Sequence, residues 1–264
     1  MKNVLRQRTR TVLAILGISL GITTVVALGV ITNGLRTTAG EVIRAGGADF
    51  MIGQKGAADL TFSTIHEDEV RQLAARPDVD RAVGVLIIVK SVGSNPFFSM
   101  AGVDPAELST IDLDIREGRR FGPDAGDEIM LGDAAAKDLD VVSGENVTLD
   151  HQTFRVVGIY HTGNLWQDKG AYVPLRTLQA QSGRADVVTV VYVWIKPGLD
   201  RKEVSADIGN DHPGLAPILS EADYGEIDQG MDMINSANFA ISLLAVGIGA
   251  IGVMNTMVMA VVER

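Results

Sequence analysis

The side chains of this protein that could do chemistry are thinly spread. Four histidines, His66, His151, His161 and His212, stand far apart, and no HExxH or comparable ligand spacing joins them, so the sequence predicts no metal site. The run His66, Glu67, Asp68 and Glu69 could attract a cation weakly, but acids in the first turn of a helix are already explained by the macrodipole. Gly247, Gly249 and Gly252 in GIGAIG satisfy the dinucleotide spacing G-x-G-x-x-G. They lie midway along an apolar run, without the preceding strand and phosphate-cradling loop that the chemistry needs, so close packing of helices is the better reading. No P-loop, no G-x-S-x-G elbow and no singled-out carboxylate pair is present, and zero cysteines exclude disulfides and thiol chemistry. These residues predict a protein that is not an enzyme and carries no cofactor. Asn146-Val147-Thr148 is a lone N-x-[ST] sequon, which makes Asn146 a candidate glycosylation site.

The elements that would carry such residues are set by two uncharged apolar runs. Val12 to Ile31 holds 20 residues, which at about 1.5 Å per residue spans the roughly 30 Å hydrocarbon core; Phe239 to Val262 holds 24. The first exceeds the h-region of a signal peptide and reads as an uncleaved anchor. Gly17 and Gly21 form a G-x-x-x-G in the first run; Gly249, Gly252 and Asn255 fall in the second, and all five are expected to pack against neighbouring membrane helices. Lys2, Arg6, Arg8 and Arg10 precede the first run, whereas no Lys or Arg lies between Lys202 and Arg264, which places both termini in the cytoplasm. Neither span contains an ionisable group, so a proton or ion relay is poorly supported.

From Arg36 to Asp232 there are 32 acidic against 18 basic residues, a net charge of −14. That sign argues against nucleic-acid binding. Arg outnumbers Lys twelve to six in the same segment, and an acidic, Lys-poor surface points to a halophilic source, because salt screens its self-repulsion. The expected elements are strands over Val83 to Val92, Thr153 to Tyr160 and Val187 to Ile195, a short helix over Asp133 to Leu139, and a helix opened by a Thr64/Glu67 capping box and running through Val70, Leu73 and Ala74 to Pro77. Spacing at Leu35, Ala39, Val42 and Ile43, stopped by Gly46 and Gly47, predicts a stalk leaving the membrane, and Ile227, Met231 and Ile234 a stalk returning to it. Mixed elements at uneven spacing predict an α+β domain, and a division into two lobes is expected near Phe97 to Gly126.

Several stretches resemble, in order, the permease subunits of MacB-like and FtsX-like ABC transporters: RTRTVLAILGISLGI, GVDP at Gly102 to Pro105, EGRRF at Glu117 to Phe121, LGDAAAKDL at Leu131 to Leu139, VVGIY at Val156 to Tyr160, YVPL at Tyr172 to Leu175 and the closing GVMNTMVMAVVER. The resemblance implies an extracytoplasmic domain of porter-like and smaller lobes, a separate ATPase on the cytoplasmic face reached by Glu263 and Arg264, and pairing with a second permease copy as a homodimer or heterodimer. It implies mechanotransmission: ATP-driven movement of the membrane helices is passed by stalks to the outer domain. That family has four membrane helices, so the chain resembles its N-terminal half, from a truncated or split subunit.

The expected layout is a basic cytoplasmic segment over 1–11, membrane helix 12–34, stalk 35–47, α+β domain 48–222, stalk 223–236, membrane helix 237–262 and a cytoplasmic end at 263–264. The expected function is a non-catalytic permease subunit in the cell membrane, in contact with lipid, handling an unknown substrate. The alternative is a two-span receptor or sensor with an outer ligand-binding domain, which would need a signalling module after the second span. A membrane-tethered outer enzyme is a third class, for which no site is found.

Overall fold

The structure is a computed structural model that describes residues 45–57, 59–93, 95–150 and 152–220, with isolated positions on either side between 19 and 43 and between 223 and 254. The chain divides into two compact units, Thr38–Gln229 and a second made of Met1–Thr37 with Gly230–Arg264. Most of both apolar runs, the expected packing residues Gly17, Gly21, Gly249, Gly252 and Asn255, the end residues Glu263 and Arg264, and the returning stalk at Ile227, Met231 and Ile234 lie outside the described residues. Among the described residues no helix is long and apolar enough to cross a membrane.

The unit Thr38–Gln229 is mixed α/β, as the uneven spacing of its elements predicts. Its strands are β1 (Phe50–Gln54), β2 (Ile65–His66), β3 (Val79–Val92), β4 (Asn95–Val103), β5 (Asp114–Gly118), β6 (Glu128–Gly132), β7 (Asn146–Leu149), β8 (Gln152–His161), β9 (Ala171–Pro174), β10 (Val187–Val188), β11 (Val190–Ile195) and β12 (Leu215–Ile218). Its helices are α1 (Glu67–Ala74), α2 (Asp133–Leu139), α3 (Leu165–Asp168), α4 (Leu175–Ser182) and α5 (Arg201–Asp211). Ten strands form one sheet in the order β12-β1-β11-β3-β4-β9-β6-β8-β5, with β7 also on β8; β10 and β2 form a separate ribbon. After β4 the chain crosses to build β5 to β8 at one end of the same sheet and returns as β9 parallel to β4, Met100 facing Ala171 and Val103 facing Pro174. The stretch where two lobes were expected to meet therefore contains strands of a continuous sheet.

Alternation along the strands sends side chains to two faces, each covered. Ile52, Leu86, Val191, Val193 and Leu131 meet Leu73 of α1, Leu178 of α4 and Ile208 of α5 on one face. Met51, Val85, Val190, Tyr192 and Met130 share the other with Ile43 of the segment that enters the domain and with Leu60, Leu108, Ile111 and Phe121, which come from short connections. Central strands sandwiched in this way carry apolar runs, Val83–Val89 in β3, Val156–Tyr160 in β8 and Val190–Ile195 in β11, which is why these are the strands the sequence announces most clearly.

Two expectations are corrected. The run Val187 to Ile195 is broken at Thr189, fully buried, whose hydroxyl accepts from Ile87 N at 2.8 Å and donates to Val85 O at 3.1 Å. The side chain takes over ladder bonds there, so Val187 and Val188 turn away to pair with Ile65 and His66. The first helix begins at Glu67, with His66 at its N-cap and Glu69 Oε2 accepting from His66 N at 3.2 Å. The Thr64/Glu67 box does not form, because Glu67 is engaged by Arg176 and Gln179 and Thr64 N donates to Gln54. The helix over Asp133 to Leu139 has its expected bounds.

Candidate functional site: an aromatic cleft beside an Asp–His–Asp cluster

On the sheet face that holds the second core, the strand spacing gathers Tyr160 of β8, Tyr172 of β9, and Tyr192 and Trp194 of β11 along a mostly apolar cleft. Trp166 of α3 closes one side, and Val42 and Ala45, from the chain that enters the domain, line it as well. The entering segment is held in place by Ile43, 1% exposed and packed into the second core, and its helical course ends where Gly46 and Gly47 take positive φ, as the two glycines predict. Tyr160 and Tyr172 meet edge to face with centroids 5.1 Å apart. The Tyr160 hydroxyl donates to Gln167 O at 2.8 Å, tying the cleft wall to α3. Burial pushes the Tyr160 hydroxyl well above the ordinary phenol value, with Tyr172, Asp168 and Asp133 adding to it; burial and then Asp168 push Tyr172 up. Both rings therefore stay neutral and serve as walls. At the cleft margin the Arg81 guanidinium lies over Trp194, 4.2 Å from the ring centroid.

Directly behind the Tyr160 wall, three side chains converge that lie far apart in sequence. β6 and β8 run parallel with Gly132 beside Tyr160, so the next residues, Asp133 and His161, emerge together at the carboxyl ends of the two strands. Asp168 arrives from α3, whose start is fixed by Asn164 Oδ1 accepting from Trp166 N at 2.9 Å and Gln167 N at 3.1 Å. Asp168 Oδ1 accepts from Thr162 N and Oγ1 at 2.7 and 2.8 Å, which leaves Oδ2 aimed at the imidazole. His161 Nδ1 stands 2.9 Å from Asp133 Oδ2 and 3.1 Å from Asp168 Oδ2. No local spacing links positions 133, 161 and 168, so the sequence announces no ligand set; the parallel register of β6 and β8 and the seat of α3 bring the three together.

The other histidines stay apart: His66 caps α1 and His212 follows α5, whereas His151 lies outside the described residues. Asn146 opens β7 opposite Arg155 and is exposed, a geometry open to modification, while Thr148 of the same sequon contacts the Thr153 hydroxyl at 3.1 Å.

Comparison with known proteins agrees with this architecture. The family model of the MacB-like periplasmic core domain matches residues 11–211. An uncharacterised ABC transporter permease of Methanocaldococcus jannaschii is 24% identical over the whole chain and 71% of its own length. The uncharacterised ABC transporter permease YknZ of Bacillus subtilis is 23% identical over the whole chain and 73% of its own length. Among solved structures, the periplasmic region of MacB from Actinobacillus actinomycetemcomitans superposes with a TM-score of 0.50 at 14% identity, over 67% of this chain and 90% of that one. The extracellular domain of YknZ from Gram-positive bacteria gives 0.50 at 15%, over 64% and 98%. The chain belongs to the MacB-like periplasmic core domain family, and so to the MacB-like ABC transporter permeases that its sequence resembles. That membership indicates no enzyme family and a membrane protein with an extracytoplasmic domain.

Proposed function

We propose that the protein is the mechanical, non-catalytic part of an ABC transporter: a separate ATPase moves its membrane helices, and the entering stalk passes that motion to the extracytoplasmic domain. The observation that carries this reading is the anchorage of the stalk. Ile43 is buried in the second core, and Val42 and Ala45 are part of the cleft wall. A displacement of this segment therefore acts on core packing rather than being absorbed by a slack linker.

The membrane assignment rests on the two uncharged runs and on the described residues within them. Ile22, Val26 and Val30, at helical spacing, are 58 to 68% exposed, and Phe239, Leu243 and Leu244 are 63 to 71% exposed. Large apolar side chains left in this way need an apolar solvent, and lipid supplies it. On this reading residues 12–34 and 237–262 span the membrane, 35–47 and 223–236 are stalks, Gly17, Gly21, Gly249, Gly252 and Asn255 pack helices together, and Glu263 and Arg264 face the ATPase. A second permease copy completes the assembly. Purification in mild detergent from cells that also express an ATPase subunit of the same transporter class and source tests it: the two should co-purify in a fixed ratio, and their repeated separation contradicts the proposal.

A further inference from the structure

We propose that Asp133 Oδ2, His161 Nδ1 and Asp168 Oδ2 form a binding site for a divalent transition-metal cation of the zinc class. The three ligand atoms lie within 4.8 Å of one another, and both distances from Nδ1, 2.9 and 3.1 Å, match the edge of about 3.0 Å between adjacent ligands of an octahedral ion that stands about 2.1 Å from each. One imidazole with two carboxylates suits zinc, manganese and their neighbours better than calcium or magnesium, which favour oxygen throughout.

A second observation separates this arrangement from an ordinary ion pair. His161 Nδ1 is shielded from solvent and makes no hydrogen bond of acceptable geometry, although two carboxylate oxygens stand at hydrogen-bond distance. A ring nitrogen that misses the line to either acceptor is what convergence on a common point between the three atoms produces, and a lone pair directed at a cation on that point satisfies it. The Asp168 side chain is only 5% exposed, with Oδ1 held by Thr162 and Oδ2 turned into the cluster. This is the outer-shell fixing that orients a ligand carboxylate. Asp133 and His161 are 42% and 36% exposed, so the cation has an entry path and room for water in its remaining positions.

The site joins the ends of β6 and β8 to α3, and Trp166 and Gln167 of α3 border the cleft. A bound cation therefore stiffens the wall of that cleft. The test uses the full chain in mild detergent, stripped with chelator and titrated with Zn²⁺ against a chromophoric competitor, with Mg²⁺ and Ca²⁺ in parallel. One equivalent of Zn²⁺ should bind in preference to the two alkaline earths and raise Tm by about 5 to 10 °C at a hundredfold excess over Kd. Asp133→Asn and His161→Gln should each weaken binding by about tenfold or more, whereas His66→Gln and His212→Gln leave it unchanged. Asp133→Asn alters an exposed carboxylate, and its metal-free Tm, equal to that of the parent, shows that the fold is kept. Zn²⁺ affinity unaltered in Asp133→Asn and His161→Gln, or no binding tighter than about 100 µM, overturns the proposal.

Discussion

Gly132 lies so close to Asp168 that a Cβ at position 132 would stand 2.2 Å from the Asp168 carbonyl oxygen. The approach lets α3 lie against the end of β6 and carries the Asp168 side chain to His161. The backbone at 132 is ordinary, with φ of −64°, so glycine is required here by space rather than by conformation. Gly132→Ala should force β6 and α3 apart and cost about 1 to 3 kcal/mol, lowering Tm by several degrees in a thermal melt. Gly122→Ala, with no atom within 4 Å of the added methyl, should leave Tm nearly unchanged.

A second clamp sets a pH dependence. Arg76 grips Asp78 through two parallel bonds of 3.0 and 2.9 Å and reaches Asp211, the last residue of α5, at 2.6 Å. The Arg76 and Asp78 side chains are only 16% and 20% exposed, so solvent screens this pair little. The Arg76 hydrogen bond holds the Asp78 carboxyl below its ordinary 3.8. A depressed folded-state value means stability that is fully present above the unfolded value and lost as pH falls through the folded one. Arg76→Leu should therefore cost about 2 kcal/mol near pH 7 and progressively less below about pH 3.8, as measured by denaturant melts of both proteins across that range.

Ile43 tests the stalk. Removing its buried side chain as Ile43→Ala should cost about 2 to 4 kcal/mol and loosen the entering segment from the second core. In the ATPase complex hydrolysis should persist while ATP-dependent movement of the outer domain shrinks. Equal movement in variant and parent would show that the segment carries no load.

The acidic surface makes a separate expectation. With a net charge of −14 from Arg36 to Asp232, the full chain in detergent should gain Tm between about 0.1 M and about 2 M salt as self-repulsion is screened. A flat profile speaks against adaptation to high salt.

What the sequence disclosed follows from where its signals are local. β8 and α2 are legible because the apolar run Val156–Tyr160 and a short helical stretch bounded by Gly132 and Asp140 are contained within their own residues. β4 is harder to read, since Pro96, Ser99 and Gly102 interrupt its pattern, and its place in the sheet comes from β3 and β9 on either side. α5 offers only Val204, Ser205 and Ile208 as buried residues, too narrow a stripe to announce a helix although Asp200 caps it through Lys202 N at 2.7 Å. The cleft depends on long-range register, and the Asp–His–Asp cluster on the parallel pairing of β6 with β8, which no spacing along the chain encodes. Family resemblance came from short ordered pieces such as LGDAAAKDL, and one of them contains Asp133 without hinting at its partners.

On the proposed function, ATP used on one side of the membrane moves the domain on the other. Because the chain has no cysteine, Lys55→Cys at an exposed position gives a single spin-label site on each permease copy without background. Pulsed dipolar spectroscopy on the permease–ATPase complex in nanodiscs should give different distance distributions between the two copies in the nucleotide-free and the ATP-trapped states. Identical distributions in a complex that hydrolyses ATP would contradict the account.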